Sequence, residues 1–341
     1  MMSSDEYAVI HAVAASCSGG FLTTIIDVTG SAYRREGTMM FFSEDNWEMG
    51  LLSGGCVEQD ILARMEIEEH DRRSSFSLIY DLRSEDDLSW GQGAGCDGSI
   101  TVLMEYVSSE LKNNLTLVRQ WLENGDTVEH IKVLDDDLNV ISSVFISETG
   151  ENAGNFDTHF VHSVPVNKLY ADEKTGRYYF RQTFLPQPRL IIYGAGADAR
   201  PVCEIAKQAG FQVIVADWRQ SYCTKEHFPH ADLLVNGNPL SVLEEVHVRS
   251  SDFIVIMTHN FTKDKELMNY LLRGEYAFVG MLGSKKRADR LLGNKGKPDW
   301  FYSPVGLSIN ADGPEQIAIS IAAQLIAVKN SNTESSKVVK S

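Results

Sequence analysis

Residues 188–217, PRLIIYGAGADARPVCEIAKQAGFQVIVAD, decide the fold of this chain. Leu190 to Tyr193 is a short apolar run of the length expected for a strand buried on both faces. Gly194-Ala195-Gly196 turns the chain, Ala197 to Gly210 reads as a helix ended by glycine, and Phe211 to Ala216 is a second buried strand. That strand delivers Asp217 23 residues beyond the first glycine, close to the spacing of a nucleotide-binding strand–turn–helix–strand unit. Gly194 permits the tight turn, Gly196 lets backbone approach a pyrophosphate, and Ala199 completes a GxGxxA pattern. The helix amides receive anionic oxygens, and Asp217 is placed to accept from a ribose hydroxyl. The same residues also fit a domain whose glycines serve packing only, because Asp198 adds negative charge at the phosphate seat and Pro201 falls in the first turn of the helix.

Downstream, Asp232 to Val235, Phe253 to Met257 and Tyr276 to Met281 read as further short strands, with a helix over Asp264 to Leu272. The expectation is a Rossmann-like parallel sheet whose ligand crevice lies at the C-terminal strand ends. Thr258 and His259 follow one such strand, and either bind a ligand or cap the next helix. Leu282-Gly283-Ser284-Lys285-Lys286-Arg287 follows another and offers amides and cations to a phosphate, or forms a surface charge cluster. Ile317 to Val328 is an apolar helix that buries itself against the sheet or a second copy of the chain. Residues 331–341 are polar and serine-rich and read as a disordered tail.

Upstream, Pro186-Gln187-Pro188 divides the chain into an α+β domain over 1–186 and the Rossmann-like domain over 187–330. In the first domain a helix over 5–16 precedes strands at Phe21–Val28 and Met39–Ser43, with a turn at Glu44-Asp45-Asn46. Three glycine-rich segments stand out. Residues 30–37, GSAYRREG, carry Arg34 and Arg35. Ser53-Gly54-Gly55-Cys56-Val57-Glu58 runs into a helix over 57–69, where Cys56 would feel the positive dipole end that lowers a thiol pKa and Glu58 would offset the same dipole. Residues 90–98, WGQGAGCDG, hold Cys96 and precede a strand at Ser99–Tyr106. Two readings fit these segments: a pocket lined by amides and thiols, or tight turns with Cys56 and Cys96 as small buried side chains. A helix over Leu115–Leu122 and strands at Thr127–Leu134, Val140–Ile146, His159–Val164 and Arg177–Phe184 complete the domain. Asp135-Asp136-Asp137 reads as a solvated turn.

A net charge of -16 over 341 residues argues against nucleic acid as a partner. No run reaches the length of a membrane span, and the first residues lack a basic signal region, so the expected compartment is the cytoplasm. Five widely spaced cysteines form no CxxC pair, which disfavours a disulfide framework or a structural zinc site.

Taken in order, these segments resemble the XdhC/CoxF family, accessory proteins in the maturation of molybdenum-containing xanthine and carbon monoxide dehydrogenases. The resemblance rests on Gly30-Ser31-Ala32-Tyr33-Arg34 through Gly37 and Met40, on residues 53–58 and on Gly95-Cys96-Asp97-Gly98. It continues through Gly194-Ala195-Gly196, Val215–Arg219, Thr258-His259, Gly280–Arg287, Pro304–Leu307 and Glu315–Ala327, and covers almost the whole chain. It implies a chaperone that binds molybdenum cofactor, assists its sulfuration and passes it to an apo-dehydrogenase, with a cysteine desulfurase as a further partner. Cys56 is the residue carried over as a contact to the cofactor's molybdenum. Tyr33, Asp97 and Ala197 depart from the family pattern, in which proline, glycine and histidine are usual. The set of candidate cofactor-binding residues is Arg34, Gly54, Gly55, Cys56, Glu58, Cys96, Gly194, Gly196, Asp217, Thr258, His259, Gly283 and Ser284. No catalytic base, nucleophile and orienter assemble from the residues. Two other functions fit: an oxidoreductase using NAD or FAD, Asp217 favouring NAD over NADP, or a docking scaffold for the dehydrogenase. A homodimer is expected from the last helix.

Overall fold

The computed structural model describes residues 6–68, 75–82, 98–155, 164–293 and 295–339. The chain forms two compact units, Met1–Pro186 and Gln187–Ser341.

The second unit is a six-stranded, all-parallel sheet. Its strands are β11 (Arg189–Tyr193), β12 (Gln212–Asp217), β13 (Leu233–Asn236), β14 (Phe253–Ile256), β15 (Phe278–Met281) and β16 (Phe301–Tyr302). Their spatial order is β13-β12-β11-β14-β15-β16. This is the doubly wound order, in which the connections reverse direction between β11 and β14 and open a crevice there. Successive residues of β11 explain the layering. Leu190 and Ile192 pack with Val202, Cys203 and Ala206 of helix α4 (Ala199–Gln208) and with Ile321 and Leu325 of helix α8 (Pro314–Val339). Ile191 and Tyr193 face the other way, onto helices α5 (Pro239–Glu245), α6 (Phe261–Leu271) and α7 (Lys285–Leu292). A strand covered on both faces has no polar side to alternate, which is why it reads as one apolar run.

Helix α8 continues past Val328 to Val339, so the tail expected from residue 331 is helical that far. Its cause is local: after Pro314 the helix meets neither glycine nor proline. Helix α5 has a single turn's worth of apolar residues behind Pro239, too few to show a period in sequence.

The first unit contains two antiparallel sheets. One runs β3-β2-β1-β5-β4, with β1 Gly20–Gly30, β2 Met39–Ser43, β3 Glu48–Gly50, β4 Ser75–Asp81 and β5 Gly98–Tyr106. The other runs β8-β7-β6-β10-β9, with β6 Val128–Leu134, β7 Val140–Ser147, β8 Asn152–Gly154, β9 Leu169–Asp172 and β10 Arg177–Phe184. Helices α1 (Glu6–Ala15) and α3 (Ser109–Asn124) share a core with residues of both sheets, including Leu22, Phe41, Phe145 and Phe184. Lys132 of β6 reaches the first sheet, pairing with buried Glu105 and bonding Thr24 at 3.4 Å. Helix α2 (Cys56–Glu68) covers the outer face of that sheet through Val57 and Ile61. Strands β8 and β9, three and four residues long, are too short to stand out as apolar runs in the sequence. Most of the expected strand at His159–Val164 lies outside the described residues, as does most of the third glycine-rich segment with Cys96 and Asp97.

Candidate functional sites at the glycine loops

In the second unit, seven of the candidate residues gather at the C-terminal ends of the parallel strands. Gly194 follows β11 with φ 117°, and a Cβ there would come within 2.5 Å of the Met257 carbonyl group. Glycine is therefore a requirement of the close approach between the turns after β11 and β14. Gly196 is open to a different neighbour: the Asp198 Oδ1 atom lies 2.6 Å from where a Cβ would stand. The other oxygen of Asp198 is 2.7 Å from His259 Nε2. His259 takes a left-handed backbone, φ 53°, and its side chain is 66% exposed. The two residues thus join across the point where the strand order reverses, and a carboxylate of the chain itself occupies the space above Gly196.

Asp217, expected as a ribose acceptor, turns inward instead. It is 0% exposed. Oδ2 accepts from the Ala195 amide at 2.7 Å and from Arg219 Nη2 at 2.8 Å, while Oδ1 accepts from the Arg219 amide at 2.8 Å and Nε at 3.0 Å. Burial alone would raise its pKa, but the Arg219 guanidinium and the two amides outweigh that and hold it below the usual carboxylate value. With both oxygens committed, Asp217 builds the glycine turn rather than meeting a ribose. This removes the basis for preferring NAD.

Thr258 also works inward. Its hydroxyl donates to the Asp264 carboxylate and accepts the Asn260 amide at 3.0 Å. Asp264 in turn takes Arg287 Nη2 at 2.6 Å and Nε at 3.0 Å, tying β14, α6 and α7 together. Ser284 caps α7 by accepting the Arg287 amide at 3.3 Å, after Gly283 at φ 136°. Thr258 and Ser284 are therefore capping groups of the crevice wall.

In the first unit, Arg34 of the 30–37 loop donates from Nε to the Leu51 carbonyl at 3.3 Å, which brings it beside the Ser53–Gly55 loop. Glu58, the third residue of α2, is 5% exposed and folds back over that loop. Oε1 accepts the Leu52 amide at 3.0 Å and the Ser53 amide at 2.6 Å; Oε2 accepts the Ser53 hydroxyl and, at 3.2 Å, the Gly55 amide. The last contact is the backward half of a capping box. Ser53 Oγ takes the Gly55 and Val57 amides at 3.1 and 3.3 Å. Glu58 is thus a scaffold for the loop, not an exposed ligand. At Gly54 and at Gly55, φ 118°, a Cβ would have nothing within 4 Å among the described residues. Cys56 is the first residue of the helix that the loop feeds and is described by its backbone. The buried Cys203 is a different kind of thiol: burial raises its pKa to about 11. Among the described residues no group of three or more His, Cys, Asp or Glu side chains is placed to hold a metal ion, and no helix is long and apolar enough to cross a membrane.

Asp198, Arg219, Asp264 and Arg287 are absent from the expected set. Arg219 had a local signal, an arginine two residues beyond the acid. The pairing of Asp198 with His259 had none, since it forms only through the sheet.

Known proteins share this architecture. Residues 190–325 match the family model for the XdhC Rossmann domain, residues 15–73 that for the XdhC and CoxI family, and residues 109–185 that for the BH1974-like central domain. A Bacillus subtilis (strain 168) protein, named as a probable xanthine dehydrogenase subunit, is 40% identical over 313 residues, covering 90% of this chain and 92% of that protein. The Escherichia coli (strain K12) molybdenum cofactor insertion chaperone PaoD is 20% identical over 337 residues, 94% of this chain and 87% of that one. The crystal structure of a Bacillus halodurans protein described as a xanthine dehydrogenase (BH1974) superposes with a TM-score of 0.86 at 41% identity, covering 96% of both chains. From the strength and extent of these matches, the chain belongs to the XdhC and CoxI family.

Proposed function

We propose that this protein is an accessory chaperone that binds molybdenum cofactor and delivers it, after sulfuration, to a dehydrogenase of the xanthine dehydrogenase type. Family membership supports the role, and the names of its relatives point the same way: one is named a cofactor insertion chaperone, another a probable xanthine dehydrogenase subunit. The observation that carries the reading is the Ser53–Gly55 loop. It is held from beneath by Glu58, has no described residue within 4 Å of a Cβ at either glycine, has Arg34 alongside, and feeds a helix whose first residue is Cys56. An anionic, sulfur-rich cargo suits these groups. Arg34 supplies a cation for its phosphate, glycine backbone allows close approach, and a thiolate favoured by the helix dipole suits molybdenum.

The oxidoreductase alternative loses support from the geometry. Asp198 stands over Gly196, and Asp217 has no oxygen left for a ribose. The dehydrogenase client, a cysteine desulfurase as sulfur donor, and a homodimer through α8 belong to the same proposal. In support of the last, Ile319 and Ile326 of α8 are exposed one heptad apart.

The test is reconstitution. Purified protein loaded anaerobically with isolated cofactor is mixed with apo-dehydrogenase, and activity recovery is followed for wild type and Cys56→Ser. Recovery that depends on the protein and falls with the serine variant supports the proposal; recovery equal to that from free cofactor in both cases defeats it.

A further inference from the structure

The end of β12 carries a guanidinium whose orientation is fixed more tightly than its surface position requires. Arg219 lies over the Trp218 ring at 4.6 Å and over the Tyr222 ring at 3.9 Å, and Trp218 stacks in turn on Tyr193. In its plane, the Nε–Nη2 edge is spent on Asp217. An arginine has a second in-plane edge, formed by its two terminal nitrogens, and either edge donates to two oxygens of a carboxylate or phosphate. On Arg219 the Nη1 nitrogen of that edge has no hydrogen bond to any described residue. The side chain is 34% exposed, and Tyr222 beside it is 41% exposed.

This edge stands next to the glycine turn, because Arg219 Nη2 and the Ala195 amide bind the same oxygen of Asp217. In a sheet of this order, the end of the second strand is where an acid holds a free ribose diol or an arginine holds a phosphate in its place. Here the acid is buried and committed, and the group facing outward is the arginine. The usual anion seat over Gly196 is meanwhile taken by Asp198.

We propose that the open edge of Arg219 is a specificity-determining subsite for a phosphate monoester on the ligand of the second unit, so that this domain selects phosphorylated over dephosphorylated ligands. The ligand's identity as a pterin rests on the cofactor-handling reading, whereas the phosphate preference does not. Asp217 and the two rings act as positioning groups. They hold the fork still before the ligand arrives, so little rotamer freedom is left to lose on binding.

The phosphate could be carried by a pterin or by a nucleotide, and two matched pairs separate them. The full chain is titrated calorimetrically with the phosphorylated pterin obtained by oxidising isolated cofactor, and with the same pterin after phosphatase treatment. It is then titrated with adenosine 2′-monophosphate and with adenosine. The expected result is binding at least about tenfold tighter for the phosphate-bearing member of one pair, from a charge-assisted bidentate contact. Arg219→Lys leaves Asp217 a cation but lacks the second edge, and should reduce the preference to about threefold or less. If that variant does not fold, Tyr222→Ala, which removes one ring from the sandwich, must weaken the phosphate-bearing member alone. The inference is overturned if neither pair shows a preference, or if Arg219→Lys leaves every preference at its wild-type size; a residual preference within the pterin pair is what Arg34 of the first unit supplies. An Arg219-dependent preference confined to the nucleotides upholds the inference and removes the pterin from this domain. Pterin binding with no preference in either pair overturns the inference and leaves the pterin in this domain.

Discussion

Asp198 and His259 meet at 2.7 Å across the reversal point of the parallel sheet, and the free oxygen of that carboxylate lies over Gly196. The pair closes the seat that a glycine-rich turn ordinarily presents to a pyrophosphate. Removing the carboxylate should open it. Asp198→Ala is expected to bind ADP at least about tenfold more tightly than wild type, a gain worth one unfavourable charge contact. Calorimetric titration of both proteins checks this. Equal affinities would mean that Asp198 moves aside without cost. Because both partners are solvent-accessible, the same variant should change stability by no more than about 1 kcal/mol.

The two glycines of interest in the two units should respond oppositely to a methyl group. Gly194→Ala must place a Cβ 2.5 Å from the Met257 carbonyl at φ 117°, and is expected to lose at least about 2 kcal/mol in urea unfolding. Among the described residues nothing lies within 4 Å of a Cβ at Gly54, so Gly54→Ala should stay within about 0.5 kcal/mol of wild type. Any loss of cofactor binding by Gly54→Ala would then report the site and not the fold.

Glu58 supports its loop through four contacts, and Glu58→Ala leaves the Leu52, Ser53 and Gly55 amides without that acceptor. The expected cost is roughly 2–4 kcal/mol. Hydrogen exchange of residues 52–55 should accelerate more than exchange in β6, which belongs to the other sheet.

Breaking the Asp217–Arg219 pair should cost about 2–3 kcal/mol in Asp217→Ala, below the range for fully buried pairs because Arg219 reaches solvent. Its pH dependence has a definite sign. The folded-state pKa of Asp217 is depressed, so its contribution is present above the unfolded value of 3.8 and is lost as pH falls through the folded value. Acid unfolding followed by circular dichroism should therefore begin at higher pH in Asp217→Asn.

His130 titrates in a different window. It is buried, stacked on Phe145 at 3.8 Å, and neither ring nitrogen has a hydrogen-bond partner among the described residues. Burial, and then the charge of Lys132, hold its pKa well below 6.5. The unfolded chain thus binds a proton that the folded one refuses, and stability should fall by up to about 1.4 kcal/mol per pH unit below 6.5. His130→Phe should remove that part of the slope in urea titrations between about pH 7.5 and 5.5.

The parallel sheet was legible because burial on both faces leaves its mark as consecutive apolar residues, and Gly194 marks the turn where backbones come too close for any side chain. The gathering of Gly196, Thr258 and Gly283 at one end followed from strand direction alone. What the individual acids do there was not legible. Asp217 has the spacing of a ribose acceptor, and only the structure shows Arg219 and Ala195 consuming both its oxygens. Glu58 did carry a readable sign, since a glutamate at the third helical position folds back on the cap, although its reach to Leu52 and Ser53 did not. The contact between Asp198 and His259 depends on two loops brought together by sheet order, which no local pattern encodes.

The most direct measurement of the central claim is anaerobic binding of isolated molybdenum cofactor to the full chain, for wild type beside Cys56→Ser and Gly54→Ala. The account predicts stoichiometric binding by wild type and marked weakening in both variants, with thermal unfolding unchanged for Gly54→Ala. Absence of cofactor binding by wild type, together with saturable binding of NAD or FAD, would contradict it.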